Sequence, residues 1–408
     1  MYFCEKVLSM KIIERESYIE QVEKLLGKRE VVVLTGHRRA GKSCILENLV
    51  ENLSAQGHVI YLDMEDPDNA YVDDYEALNK YIKTNITAAS RNYILIDEVQ
   101  EIDGFEKTLR FWAKKDKVEI IVTGSNAYML SGELATLFAG RHTPVHIYSL
   151  DYEEYMRFYD LTNQEETLVS YLRWGGLPFL HQIPLEDERS RIDYLGGIYN
   201  TIFIKDIVQR HQVRNITLLD NLARFMADNC GKIFSANSIS KYLKNSNINS
   251  TANTISEYVD FLCEAYLIDR VSRYDISGKR VFEQQEKFYF EDIGIRNYLC
   301  NNRRQFDIEK VMENVVYLRL KQLGYDVYVG QWNGKEIDFV AKLGEDIRYF
   351  QVTKTISSDD TYSREYGNLK LIRDNYPKYV ITMDPAAGLV NDSGIITCTL
   401  RDFLQKQV

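Results

Sequence analysis

The octapeptide GHRRAGKS, Gly36 to Ser43, constrains this chain more than any other stretch, because it ties a local backbone shape to both of its neighbours. VVVLT, an apolar β-branched strand, precedes it, and the helical pattern CILENLVENL follows. A G-x-x-x-x-G-K-S spacing between strand and helix is that of a loop which closes on a phosphate. Gly36 and Gly41 let the backbone curl, so that the N–H groups of Arg39, Ala40, Gly41, Lys42, Ser43 and Cys44 point inward. The helix N-terminus adds its partial positive charge. Lys42 then reaches the β- and γ-phosphates, and the Ser43 hydroxyl is placed to ligate Mg²⁺.

Three more short apolar runs follow at helix-length intervals: VIYLD (59–63), YILID (93–97) and EIIVT (119–123). Continuous apolar strands alternating with helices predict an α/β fold with a parallel sheet covered on both faces. YILIDE brings Asp97 to the C-terminal edge of a buried strand, where it can hold the Mg²⁺ shell, and Glu98 follows to orient or deprotonate the attacking water. The next strand ends in TGSN, so Ser125 or Asn126 can touch the γ-phosphate or the water; the same residues also suit a plain turn. No N-K-x-D guanine signature occurs, so ATP is the expected nucleotide rather than GTP.

At 408 residues the chain exceeds what one hydrophobic core supports, and about two to four domains are expected. Its net charge of −10 repels polyanions on average, so any contact with nucleic acid has to be local. The six cysteines are scattered singly, with no C-x-x-C pair, which points to neither zinc nor a disulfide framework. No apolar run approaches the ~20 residues needed to cross a bilayer, and the first residues carry no leader pattern. A cytoplasmic protein without a membrane partner is the expectation.

Beyond Leu150 the texture changes. Aromatic-rich, charge-dotted helical segments such as DYEEYMRFYD suggest a helical lid over 151–215. Between 216 and 304 the helical stretches SANSISKYLKN and STANTISEYVDFLCEAYLI precede two short strands near 268–274 and 286–291, an order that fits a winged helix-turn-helix. Its bases Lys241, Lys244, Arg270, Arg273, Lys279, Arg280 and Lys287 are matched by as many acids, and the second helix carries Glu257, Asp260 and Glu264, which repel phosphate. Two roles stay open: DNA contact through Lys279 and Arg280 of the wing, or a structural and protein-contact module. Residues 305–408 read as a small α/β domain of their own.

The order of phosphate loop, the acidic pair Asp97–Glu98, a strand ending in TGSN, then LFAGR and RWGGLP, resembles the AAA+ superfamily. The resemblance is closest to prokaryotic AAA ATPases with a C-terminal domain of the DUF4143 type, and it covers essentially the whole chain. It implies an ATPase core over 1–150, Asn126 as the polar sensor on the fourth strand, and Arg141 as an arginine finger acting in cis or across a homo-oligomer interface. Arg15 and Tyr18 sit where the family approaches the adenine.

For the C-terminal domain it implies a PD-(D/E)xK nuclease-like fold, with Glu313 on a helix, Asp338 ending a strand, and Gln351 and Thr353 on the next. Here the sequence departs from a working nuclease. Gln351 stands at a carboxylate position and carries no charge, Thr353 stands at the lysine position, and strand alternation aims Lys354 at the opposite face. The expectation is therefore a Mg²⁺-dependent ATPase switch with output through a winged helix and a degenerate nuclease-like domain, engaging a protein partner. The alternative is an ATP-dependent protein that binds or cleaves DNA.

Overall fold

Five short strands pair into one all-parallel sheet in the order β2-β3-β4-β1-β5, in a computed structural model that describes residues 14–124, 140–245, 250–300, 307–356, 359–385, 391–392 and 394–405. In chain order the elements are α1 (Glu16–Glu23), β1 (Val31–Thr35), α2 (Lys42–Ser54), β2 (His58–Asp63), α3 (Tyr75–Asn85), β3 (Asn92–Asp97), α4 (Phe105–Trp112), β4 (Val118–Thr123) and β5 (His142–His146). All five residues of β1 are buried, and its side chains alternate between two cores. Val31 and Val33 join Leu78, Ile82, Leu109 and Trp112 on one face. Val32 and Leu34 join Val22, Ile45, Leu49 and Leu53 on the other, which is why the run shows no polar position.

The fifth strand, HTPVH, lies outside the four expected from apolar runs. Pro144 and two histidines hide it, and a strand that contains proline is tolerated here because β5 is an edge. Register then decides what meets at the C-terminal edge of the sheet. Asp63 lies opposite Asp97, Thr123 opposite Leu34, and His146 opposite Thr35.

Residues Tyr148–Val408 form a second compact unit, separate from Met1–Ile147. It contains α5 (Tyr152–Tyr159), α6 (Glu165–Trp174), α7 (Glu188–Thr201), α8 (Ile216–Asp228), α9 (Ala236–Asn245), α10 (Ala252–Glu264), β6 (Ile268–Asp275), β7 (Arg280–Phe290), α11 (Ile293–Leu299) and α12 (Ile308–Gln322). Then come β8 (Asp326–Trp332), β9 (Lys335–Leu343), β10 (Asp346–Thr353), α13 (Asp359–Lys370), β11 (Lys378–Thr382), β12 (Asn391–Asp392), β13 (Ile395–Thr399) and α14 (Leu400–Gln405).

A helix pair followed by a hairpin does occur at α9, α10, β6 and β7, but the hairpin is not a separate wing. β6 pairs in parallel with β8, so one eight-stranded sheet, β12-β13-β11-β10-β9-β8-β6-β7, runs across the boundary expected at 304. A two-stranded hairpin buries too little by itself, and Tyr274 and Ile276 instead share a core with Ile337, Tyr349 and Val380. The helices expected as a lid join the same unit. Tyr155, Leu172 and Leu195 pack in one core with Phe290, Tyr317 and Phe350. Among the described residues no helix is long and apolar enough to cross a membrane.

Candidate functional sites

The phosphate loop leaves β1 with a backbone that only its glycines permit. Gly36 has φ +133°, and a Cβ there would lie 2.2 Å from the Ile147 carbonyl oxygen; Gly41, at φ +100°, precedes the first turn of α2. Lys42 is buried, and its ammonium donates to the carbonyls of Gly36 at 3.0 Å and His37 at 3.1 Å. The guanidinium of Arg15 donates to the Ala40 carbonyl at 3.1 Å and lies over the Tyr18 ring, so both residues stand beside the loop. His37 is buried with Nδ1 2.8 Å from the Arg38 carbonyl. Burial, aided by the charge of Lys42, pushes its pKa down to about 3, so this ring is neutral near pH 7.

Asp97 and Glu98 come to the same edge and are joined through a residue that motif reading did not single out. The Thr123 hydroxyl donates to Asp97 Oδ1 and accepts the Glu98 N–H at 2.8 Å. Glu98 adopts φ +51°, and its carboxylate accepts a hydrogen bond from the Gln100 amide. Burial raises the Asp97 pKa; hydrogen bonds from Thr123 and Ser43 oppose the rise, and the charges of Glu98 and Asp63 add to it. The Glu47 carboxyl is raised by burial and then by Asp97 and Asp63. Asp63 and Glu47 were legible in principle: Asp63 closes VIYLD as Asp97 closes YILID, and Glu47 lies one helical turn beyond Ser43. Cys44 has a thiol raised by burial and by Glu47, so only its main chain suits phosphate.

These residues suit a divalent ion held partly by a nucleotide. Ser43 stands close enough to the buried Asp97 carboxylate to lower its pKa, while Glu98 and Asp63 add negative charge beside it. Among the described residues no three His, Cys, Asp or Glu side chains converge to hold a metal alone. Mg²⁺ typically takes one or two protein ligands and completes its shell with phosphate and water.

Ser125 and Asn126 lie outside the described residues. Arg141 is exposed and immediately precedes β5, with its carbonyl accepting the Val31 N–H at 3.0 Å. That is the N-terminal edge of the sheet, whereas the loop leaves the C-terminal end of β1, so the two are separated by a strand length of about 15 Å. The placement corrects the expectation of a finger acting in cis.

In the second unit, Asp338 and Gln351 are adjacent but engaged with the backbone. The ladder between β9 and β10 stops at Phe339–Phe350. Beyond it the Asp338 N–H donates to Gln351 Oε1 at 2.7 Å, and Asp338 Oδ2 accepts the Val352 N–H at 2.8 Å. Gln351 Nε2 donates to Glu365 Oε2 at 2.6 Å. Burial, then the charge of Glu313, raises the Asp338 pKa well above the usual carboxylate range. Thr353 donates to the Thr355 carbonyl, and Lys354 lines a different cavity with Leu172, Ile308 and Met383.

The hairpin's bases are largely consumed internally. Arg270 pairs with Asp260 and Glu286, Arg273 with Glu336, and Arg280 with Asp275. Lys287 pairs with Glu313 and Glu336.

Comparison with known proteins places these sites in context. The AAA domain family AAA_14 matches residues 28–156, and a domain of unknown function, DUF8612, matches residues 165–305. An uncharacterized protein of Haemophilus influenzae is 32% identical over 384 residues, covering 92% of this chain and 94% of that protein. One from Methanocaldococcus jannaschii is 26% identical, covering 96% of this chain and 88% of that protein. Among solved structures, a Walker-type ATPase of Pyrococcus abyssi is similar with a TM-score of 0.51 and 15% identity, covering 70% of this chain and 95% of that one.

Proposed function

This chain belongs to the same family as its Haemophilus influenzae relative and carries an AAA domain, and we propose that it is a Mg²⁺-dependent ATP hydrolase working as a nucleotide-driven switch. The observation that carries the reading is the hydrogen-bonded link from Asp97 through Thr123 to the Glu98 main chain, with Ser43 of the loop acting on Asp97. Lys42 exchanges its contacts with the Gly36 and His37 carbonyls for the β- and γ-phosphates. Ser43 and Asp97 would hold the ion, which would supply positive charge beside the phosphates. Glu98 orients the attacking water and takes its proton. Asn126 senses the γ-phosphate, and Arg141 serves a neighbouring copy in a homo-oligomer, since its own loop is a strand length away.

The output lies in the C-terminal unit, where the helices of 151–215, the helix pair and hairpin of 216–304 and the nuclease-like segment 305–408 act as one body with a shared sheet and core. A protein partner fits this unit better than duplex DNA, because Arg270, Arg273 and Lys287 are held by carboxylates of the same unit. ATP turnover by wild type, Lys42→Ala and Glu98→Gln, with and without duplex plasmid, tests the reading while nicking is followed in the same tubes. Wild type should hydrolyse ATP, Lys42→Ala should fall to background, and Glu98→Gln should bind ATP without turning it over. Equal turnover by wild type and Lys42→Ala would refute it.

A further inference from the structure

The carboxylates of the second unit surround a cation supplied by the chain. The Lys287 ammonium, buried although it comes from the edge strand β7, lies 3.0 Å from Glu313 Oε1 on α12 and 2.9 Å from Glu336 Oε1 on β9. The Tyr289 hydroxyl donates to the same Glu313 oxygen, and Arg273 Nη2 takes the other Glu336 oxygen at 2.9 Å. Asp338 is close enough to act on the Lys287 charge. Gly231, whose Cβ would come within 3.1 Å of Glu313 Oε1, brings a loop close over that carboxylate, and its N–H donates to the Phe288 carbonyl at 3.1 Å.

We propose that Lys287 is the resident cation of the Glu313, Glu336 and Asp338 cluster, taking the place a divalent metal would need, so that this site holds no metal and cuts no phosphodiester. The inference is independent of the nucleotide reading, because every residue in it lies in the second unit.

Charge and geometry support it together. A divalent ion between Glu313 and Asp338 would sit beside a fixed ammonium in a medium where like charges repel strongly. Burial alone would favour neutral Lys287, but Glu313, Asp338 and Glu336 hold its pKa above the ordinary lysine range, so it serves as a charge and not as a base. The two remaining ligand candidates are also committed: the Gln351 carbonyl accepts the Asp338 N–H, and Asp338 Oδ2 accepts the Val352 N–H. A carboxylate at 351 would face Glu365, which the amide instead satisfies as a donor. The lysine comes from the hairpin, so the same contact fastens β7 to α12 and β9.

The test uses the full chain without nucleotide and reads its thermal unfolding midpoint in EDTA and in MnCl₂. Wild type should unfold at the same temperature in both. Lys287→Met should lose roughly 3 °C or more and recover part of the loss in MnCl₂. Adding Glu313→Gln to Lys287→Met should remove the excess charge, restore part of the midpoint and abolish the response to MnCl₂. A wild-type stabilisation by MnCl₂ that Glu313→Gln or Asp338→Asn removes, and Asp97→Asn does not, would overturn the proposal. So would Mn²⁺-dependent plasmid nicking abolished by Asp338→Asn. These wild-type readouts stand even if Lys287→Met fails to fold, and the outcome of ATP turnover bears on neither.

Discussion

Asp338 and Gln351 bridge the point where two strands part: the Asp338 N–H donates to Gln351 Oε1 at 2.7 Å where the β9–β10 ladder has ended. The amide is suited to this role because it accepts from the backbone on one side and donates to Glu365 on the other. Gln351→Glu restores a nuclease-like residue type but replaces that donor by a second carboxylate. The unit should lose about 1–3 kcal/mol of stability in urea unfolding, with no nicking gained. An unchanged urea midpoint would show that the amide's donor capacity is dispensable.

Thr123 links the two acids of the nucleotide site. Removing its hydroxyl frees the Asp97 carboxylate and deprives the Glu98 N–H of its acceptor at a position where φ is +51°. Thr123→Val should lower kcat for ATP by ~10²-fold while changing nucleotide affinity far less, because a small misplacement of the acid is costly only during reaction. Thr123→Ser, which keeps the hydroxyl, should retain most of the rate. Equal losses in kcat and affinity would point to collapse of the loop instead.

His37 makes the first unit acid-sensitive. Burial holds its folded pKa at about 3, below the ordinary imidazole value of 6.5, so between those pH values the unfolded chain binds a proton that the folded chain refuses. Stability should therefore fall as pH drops through this window, by at most about 1.4 kcal/mol per pH unit from this group. Urea unfolding between pH 6.5 and 4.5 should show a shallower dependence in His37→Gln than in wild type. Parallel profiles would mean that the imidazole titrates normally.

Sequence reading succeeded where a function is carried by neighbours in the chain. Gly36 to Ser43 lies between a strand and a helix, and four runs of the parallel sheet appear as uninterrupted apolar segments because both faces are covered. In sequence Thr123 reads only as the last residue of a strand, since its role needs the β3–β4 register that brings it against Asp97. β5 escaped for the opposite reason: as an edge it tolerates Pro144 and polar residues that contradict a strand pattern. Arg141 illustrates the limit of positional analogy, because whether an arginine meets a phosphate depends on which end of the sheet it occupies.

What the sequence by itself determined, then, is the nucleotide loop, the acids that follow the buried strands, and the substituted residues at 351 and 353. It determined these because backbone conformation, side-chain alternation and residue chemistry act over a few neighbouring positions. Only the tertiary structure decided that the hairpin joins the C-terminal sheet, that Asp338 and Gln351 are spent on strand ends, and that Lys287 lies among Glu313 and Glu336. Lys287 and Glu313, 26 positions apart, meet because α12 packs against β7, and it is the burial of the lysine between carboxylates that turns separate charges into one neutralised cluster.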